Sequence, residues 1–220
     1  METTERRGVL LVLVRHGEQE RTGQDGPLTA RGRRQAAALA SAVSLTASDL
    51  LVSSSRLRAR QTAEAIAAGA EVIAAGAEAI TAGAEVIDDL DEYRFGPDWT
   101  WQHAETREDL MLWQPDHHAG GETMAEFQQR IDRVMESLVR REAPRRILLC
   151  VHSGVIDAIV RWAFGITPDV PWTTEVHLPH ASITELQHWH AGRHPRGAPR
   201  HTLLIRIGDV AHLAVDLRSE

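Results

Sequence analysis

Two stretches of this chain are apolar without a break. Val9 to Val14 reads VLLVLV, and Ile147 to Val151 reads ILLCV. A strand with one face in water alternates apolar and polar residues, whereas a strand covered on both faces has no such need. Both runs therefore predict parallel strands inside a sheet with helices above and below. Shorter strands are predicted over 49–52 and 85–87, with two edge strands over 182–189 and 201–207 joined by a Gly- and Pro-rich turn at 191–200. Between them the pattern changes to helical spacing. Thr29 is placed to cap a helix running to about Val43, and one of Ser53, Ser54 and Ser55 to cap the next, RLRARQTAEAIAA. A long helix is predicted from Thr123 to about Glu142. It carries Met124, Phe127, Ile131, Val134, Met135 and Leu138 on one stripe and stops at Pro144. Another follows Ser153-Gly154. Strands alternating with helices in this way predict the α/β class.

Four segments interrupt the alternation. Residues 18–28 are a polar Gly/Pro loop directly after the first strand, and 166–181 form a loop containing Pro and Trp. Residues 67–87 repeat AAGAEVI, AAGAEAI and TAGAEVI with a period of seven. A glycine in every copy makes a poor coiled coil. The last copy is expected to supply the strand at 85–87, and the earlier ones to extend the preceding helix or form a surface excursion. Residues 88–102, DDLDEYRFGPDWTWQ, have no period at all and are followed by a helix or irregular lid over 103–118.

Composition narrows the chemistry. The chain has 220 residues, with 31 acids against 24 Lys plus Arg, and a net charge of -7. This balance argues against a nucleic-acid partner. Every one of those cations is Arg, so a lysine Schiff base and a Walker A loop are both excluded. Cys150 is the sole cysteine, which rules out an intrachain disulfide and a thiolate metal cluster. METTERRG has no apolar core of a signal peptide, and no stretch approaches a membrane span. The expectation is one domain over 1–220, cytoplasmic, without a membrane partner. The oligomeric state is left open.

The candidate chemistry sits where the strands end. The first apolar run closes on Arg15-His16-Gly17, the second on His152-Ser153-Gly154. Parallel strands put their carboxyl ends at one edge of the sheet, where α/β proteins bind ligands. Arg58 falls in the first turn of the helix after the short strand and can point to the same edge, while Arg56 and Arg60 are expected outside. An acid from 88–102, Glu92 or Asp91, completes the set; the structural alternative is an acidic turn at a helix start. Guanidinium forks suit phosphate oxygens. Imidazole can attack phosphorus, and a carboxylic acid can protonate the leaving oxygen. That scheme needs no metal and no cofactor. Competing motifs fail: the arginine a cysteine phosphatase needs after Cys150 is Ile156, and neither GxSxG nor HExxH occurs. His117, His118, His188, His190 and His194 are read as non-ligands, because alternate residues of an edge strand share a face in any case.

Five segments in order resemble the histidine phosphatase superfamily, in its phosphoglycerate-mutase-like branch. They are Leu13 to Glu18 (LVRHGE), Pro27-Leu28-Thr29 with Gly32 and Gln35-Ala36, Ser55 to Ala63 (SRLRARQTA), the acid loop Asp91 to Trp99, and His152 with Gly154-Val155-Ile156. The resemblance covers nearly the whole chain. It implies a three-layer α/β fold with a mainly parallel central sheet flanked by helices. It implies metal-independent hydrolysis of a small phosphorylated metabolite through a covalent phosphohistidine. His16 stands at the nucleophile position and Glu92 at the proton-donor position. Arg15, Arg58 and His152 stand where the phosphoryl group is bound. Thr22, Gly23 and Ser153 are further candidate phosphate contacts. The chain departs from the family pattern at Val151 and Ser153, which flank His152, and lacks the Asn usual near position 22. The acid loop reads DEYRFG where family mutases read like ERHYG, which favours a hydrolase over the alternatives of a mutase or a non-catalytic phosphate binder.

Overall fold

The computed structural model describes residues 8–22, 25–73, 83–96, 120–142, 145–173, 175–189 and 201–219, and no side chain between 70 and 73. Among the described residues, six strands form one sheet: β1 Val9–Arg15, β2 Leu50–Ser53, β3 Glu85–Val86, β4 Arg146–Val151, β5 Ile183–Trp189 and β6 His201–Asp209. Their spatial order is β3-β2-β4-β1-β5-β6. β1, β2, β3 and β4 run parallel; β5 runs antiparallel to β1, and β6 antiparallel to β5, so β5 alone of the six points the other way. Among the described residues, four α-helices flank it: α1 Ala30–Val43, α2 Leu57–Ile73, α3 Met124–Val139 and α4 Ser153–Ala163.

The unbroken apolar runs are explained by two cores. Leu11 and Leu13 of β1, with Ile147, Leu149 and Val151 of β4, face Phe127 and Ile131 of α3 and Val155 and Ile159 of α4. Val12 and Val14, with Leu148 and Cys150, face the other way, onto Leu39 and Val43 of α1 and Ala63 and Ile66 of α2. Each strand thus feeds alternate residues to opposite layers, and both central strands are fully covered, as their sequences predict. Thr29 caps α1 by accepting the amide of Gly32, and Thr123 with Glu126 forms a capping box on α3.

Several predicted boundaries shift. β2 is Leu50–Ser53 rather than 49–52, and β3 is two residues long. β6 continues to Asp209. The first repeat copy does extend α2, to Ile73. The second copy, the 103–118 segment and the 191–200 turn lie outside the described residues. The start of α2 differs from the expectation of a simple serine cap. Ser54 Oγ accepts the Arg56 amide at 3.4 Å, but Asp25 from the 18–28 loop takes the Leu57 amide at 2.7 Å.

Candidate active site

β1 and β4 are adjacent and in register, Arg15 beside Val151. Their carboxyl ends therefore deliver His16 and His152 side by side, with ring centroids 5.1 Å apart at 62°. The chain after β1 is held from all sides. The His16 amide donates to Val151 O at 2.9 Å, the Gly17 amide to Thr62 Oγ1 at 3.1 Å, and the Glu18 amide to Gln35 Oε1 at 2.8 Å. Gly17 is not needed for a left-handed turn, because its φ lies outside that region. It is needed for space: a Cβ there would lie 2.5 Å from the carbonyl oxygen of Gly32.

The hydrogen bonds of His16 fix its tautomer. Gly17 O can only accept, so Nδ1–H donates to it, at 2.8 Å. Arg58 Nε can only donate, so Nε2 accepts, at 3.2 Å. The lone pair of Nε2 is thus aimed at a guanidinium, where an anion held by that guanidinium would also sit. Burial, then the charges of Arg58, His152, His180 and Arg15, holds His16 well below the usual histidine range, and the ring is neutral near pH 7. His152 is depressed in the same way, first by burial and then by Arg58. Its Nε2 lies 2.7 Å from Ser54 Oγ. Either the hydroxyl or the ring nitrogen can donate in this contact, because a serine oxygen can accept twice.

Arg58 and Arg15 both lie close enough to His16 for their charges to act on its ring. Arg58 is 5% exposed and has Asp25 3.7 Å from Nη1. Burial pushes Arg15 down to about 10, Glu92 opposing and Arg58 reinforcing the shift, so it stays cationic at neutral pH. Arg56 turns away to Asp91, at 3.1 Å, and Arg60 is exposed.

The two candidate acids separate cleanly. Asp91 is engaged, its Oδ1 accepting the Ser55 amide and hydroxyl at 3.1 and 2.9 Å while its Oδ2 holds Arg56. Glu92 faces the other way. Its Oε2 accepts the Gly154 amide at the start of α4 at 3.2 Å, its Oε1 accepts its neighbour's amide, from Tyr93, and its charge acts on both Arg15 and Arg58. Gly154 makes this approach possible, since a Cβ there would lie 2.5 Å from Glu92 Oε1. Ser153 opens α4 beside His152. Thr22 is exposed on the 18–28 loop, and Gly23 lies outside the described residues.

The structure adds a residue that the sequence reading omits. His180 lies in the 166–181 loop, 164 positions from His16, yet their rings are 5.6 Å apart. Its Nε2 accepts from Arg15 Nη2 at 3.1 Å, while Arg15 Nη1 donates to Leu178 O. The Ala181 amide donates to His16 O at 3.2 Å, with Ala181 itself held at φ 57. This short turn therefore fixes the Arg15-His16 pair from the β5 side. Burial, with Arg15, Arg31 and Arg58, pushes His180 down to about 3. The only sequence signal was a histidine just ahead of a predicted strand.

Three nitrogens of this cluster are buried without a hydrogen-bond partner among the described residues: Arg15 Nε, His152 Nδ1 and His180 Nδ1. Leaving one such group unpaired costs about 1–3 kcal/mol. Two of them, Arg15 Nε and His180 Nδ1, are donors, and with two guanidiniums beside a neutral imidazole they give the cluster the chemistry that suits an anion. Among the described residues, no three His, Cys, Asp or Glu side chains are grouped as a metal ion would require. His188, one of the histidines set aside as a ligand, is buried against the Trp162 ring and hydrogen-bonded to Thr202.

The model of the histidine phosphatase superfamily (branch 1) matches residues 11–197. The chain belongs to this superfamily. It is a phosphatase of the histidine type, with the three-layer, phosphoglycerate-mutase-like architecture. Over 179 residues it is 29% identical to the adenosylcobalamin/alpha-ribazole phosphatase of Escherichia coli K12, covering 74% of this chain and 82% of that protein. The solved structure of TTHB049 from Thermus thermophilus is 31% identical, with a TM-score of 0.55 over 80% of this chain and 92% of that one. A mycobacterial glucosyl-3-phosphoglycerate phosphatase shares the fold, with a TM-score of 0.67 at 24% identity over 92% of this chain and 99% of that one. Among the described residues no helix is long and apolar enough to cross a membrane.

Proposed function

We propose that this phosphatase hydrolyses a small phosphomonoester in two steps through a phosphohistidine on His16, without a metal ion. In the first step Nε2 attacks phosphorus. The P–N bond forms as the bond to the leaving oxygen breaks, and Glu92 gives its proton to that oxygen. In the second, the Glu92 carboxylate takes a proton from water, the water oxygen attacks phosphorus, and the P–N bond breaks to release inorganic phosphate. The charge on the transferred group is held by Arg15, Arg58 and His152, with His180 as a fourth partner and Ser153 and Thr22 as further candidate contacts. Preorganised donors of this kind stabilise charge most where water is excluded.

The observation that carries this reading is the fixed tautomer of His16, whose Nε2 lone pair is aimed at Arg58. Two guanidiniums supply the neutralising charge that a metal would otherwise provide. The test is a brief reaction quenched in alkali, where phosphohistidine survives, followed by peptide mapping. The label is expected on His16, to be absent in His16→Ala together with turnover, and to form equally in excess chelator. A label on His152, or activity that disappears in chelator and returns with a divalent ion, would refute the scheme. For the substrate, α-ribazole 5′-phosphate and glucosyl-3-phosphoglycerate head the panel, because proteins similar to this one carry those activities in their names.

A further inference from the structure

Arg130 lies on the buried face of α3 and is 3% exposed. A buried guanidinium is costly unless its N–H groups are paired. Here Nε and Nη2 both donate to the Glu122 carboxylate, the first at 3.0 Å. Nη1 donates to the carbonyl oxygens of Asp89 and Asp91, at 2.8 and 2.9 Å. Glu122, just ahead of the α3 cap, also accepts the Arg94 amide at 2.8 Å, and its own amide donates to Arg94 O at 3.0 Å. The Tyr93 hydroxyl donates to Glu122 O. The residues before and after Glu92, at positions 89, 91, 93 and 94, are thus all tied to one Arg130–Glu122 unit. The side chain of Glu92 turns away from this unit, to Gly154.

We infer that Arg130 is a positioning residue for Glu92, holding the backbone on both sides of it so that its carboxyl meets the leaving oxygen. The inference rests on the reading of Glu92 as proton donor. Arg130 spends its hydrogen bonds on this loop, whereas the phosphate partners are carried by β1, α2, β4 and the turn before β5. Its loss is therefore felt in protonation of the leaving group rather than in binding of the phosphoryl group. Proton transfer needs the donor within about 2.6–3.2 Å of its target, and a shift of about 1 Å can cost on the order of a hundredfold in rate.

The experiment compares Arg130→Met, Glu92→Gln and the double variant on aryl phosphates of graded leaving-group acidity and on glycerol 2-phosphate. Dinitrophenolate leaves without help, whereas an alkoxide needs the proton. In Arg130→Met, kcat/KM for glycerol 2-phosphate is expected to fall about tenfold or more beyond the loss on dinitrophenyl phosphate. Glu92→Gln should tilt the series the same way, and the double variant should tilt it no further than Glu92→Gln. Vanadate affinity should be retained. Glu122→Gln, which weakens the same unit, should reproduce the tilt and serves if Arg130→Met does not fold. An equal loss across the series, or tilts that multiply in the double variant, would overturn the inference while leaving Glu92 as donor. A Glu92→Gln series without tilt would remove both.

Discussion

At the scale of single residues, function here depends on backbone left uncovered as much as on side chains. The Gly154 amide donates to Glu92 from across the site, and a Cβ at that position would lie 2.5 Å from the carboxylate. In Gly154→Ala the helix gains about 1 kcal/mol of intrinsic propensity, and the obstructing atom is the mobile end of a side chain. Thermal unfolding should therefore be little changed. Turnover of alkyl phosphates should fall on the order of a hundredfold as the carboxyl is displaced, and turnover of dinitrophenyl phosphate much less. A variant with unchanged alkyl-phosphate turnover would show that Glu92 works from another position. Residues of this kind differ in how legible they are. Arg15, His16 and His152 end apolar runs, and Arg58 opens a helix, so their sequence neighbours announce the sheet edge. His180 could not be read that way, because it enters the site through an aperiodic loop brought in by the antiparallel β5. Nothing in the sequence around Arg130, or around Glu122 just ahead of α3, shows that the two pair and that Arg130 is buried.

At the scale of elements, local preference and tertiary packing disagree at α1. Gly32 is buried inside a helix that would otherwise favour Ala. A Cβ on Gly32 would lie 1.9 Å from Glu18 O, and one on Gly17 would lie 2.5 Å from Gly32 O. The helix and the loop after β1 meet backbone to backbone, and there is no flexible side-chain end to move aside. Gly32→Ala should therefore destabilise by about 1–3 kcal/mol, the usual cost of overpacking, despite the better helix former. Urea unfolding measures this, and a gain in stability would contradict the packing. The sequence shows the odd glycine but not its neighbour. By contrast, the layering was legible, because burial on both faces leaves β1 and β4 no polar positions to spare. The exact strand ends were less so: β3 is two residues long and its limits follow from pairing with β2, not from its own pattern.

At the scale of the molecule, an acidic chain with net charge -7 concentrates arginines and neutral histidines at one sheet edge. Folding therefore works against histidine protonation. His16, His152 and His180 are all held below the ordinary value of 6.5, His180 at about 3. For a histidine depressed in the folded state, the unfolded chain binds the extra proton between the two pKa values. Stability is then full above 6.5 and declines as the pH falls, continuing for His180 to about 3. Within that window one such group costs about 1.4 kcal/mol per pH unit. His180→Gln keeps a polar side chain beside Arg15 and removes one titration. Its unfolding free energy should fall less steeply between pH 6.5 and 4.5 than that of the wild type, by about 1.4 kcal/mol per unit, with no matching difference between pH 7 and 8. Parallel slopes for the two proteins would mean that His180 titrates normally in the folded state. The same measurement bears on catalysis. If the site rejects protons this strongly, Nε2 of His16 keeps its lone pair well below pH 6.5, so the acid limb of kcat/KM should not be set by a histidine of ordinary pKa.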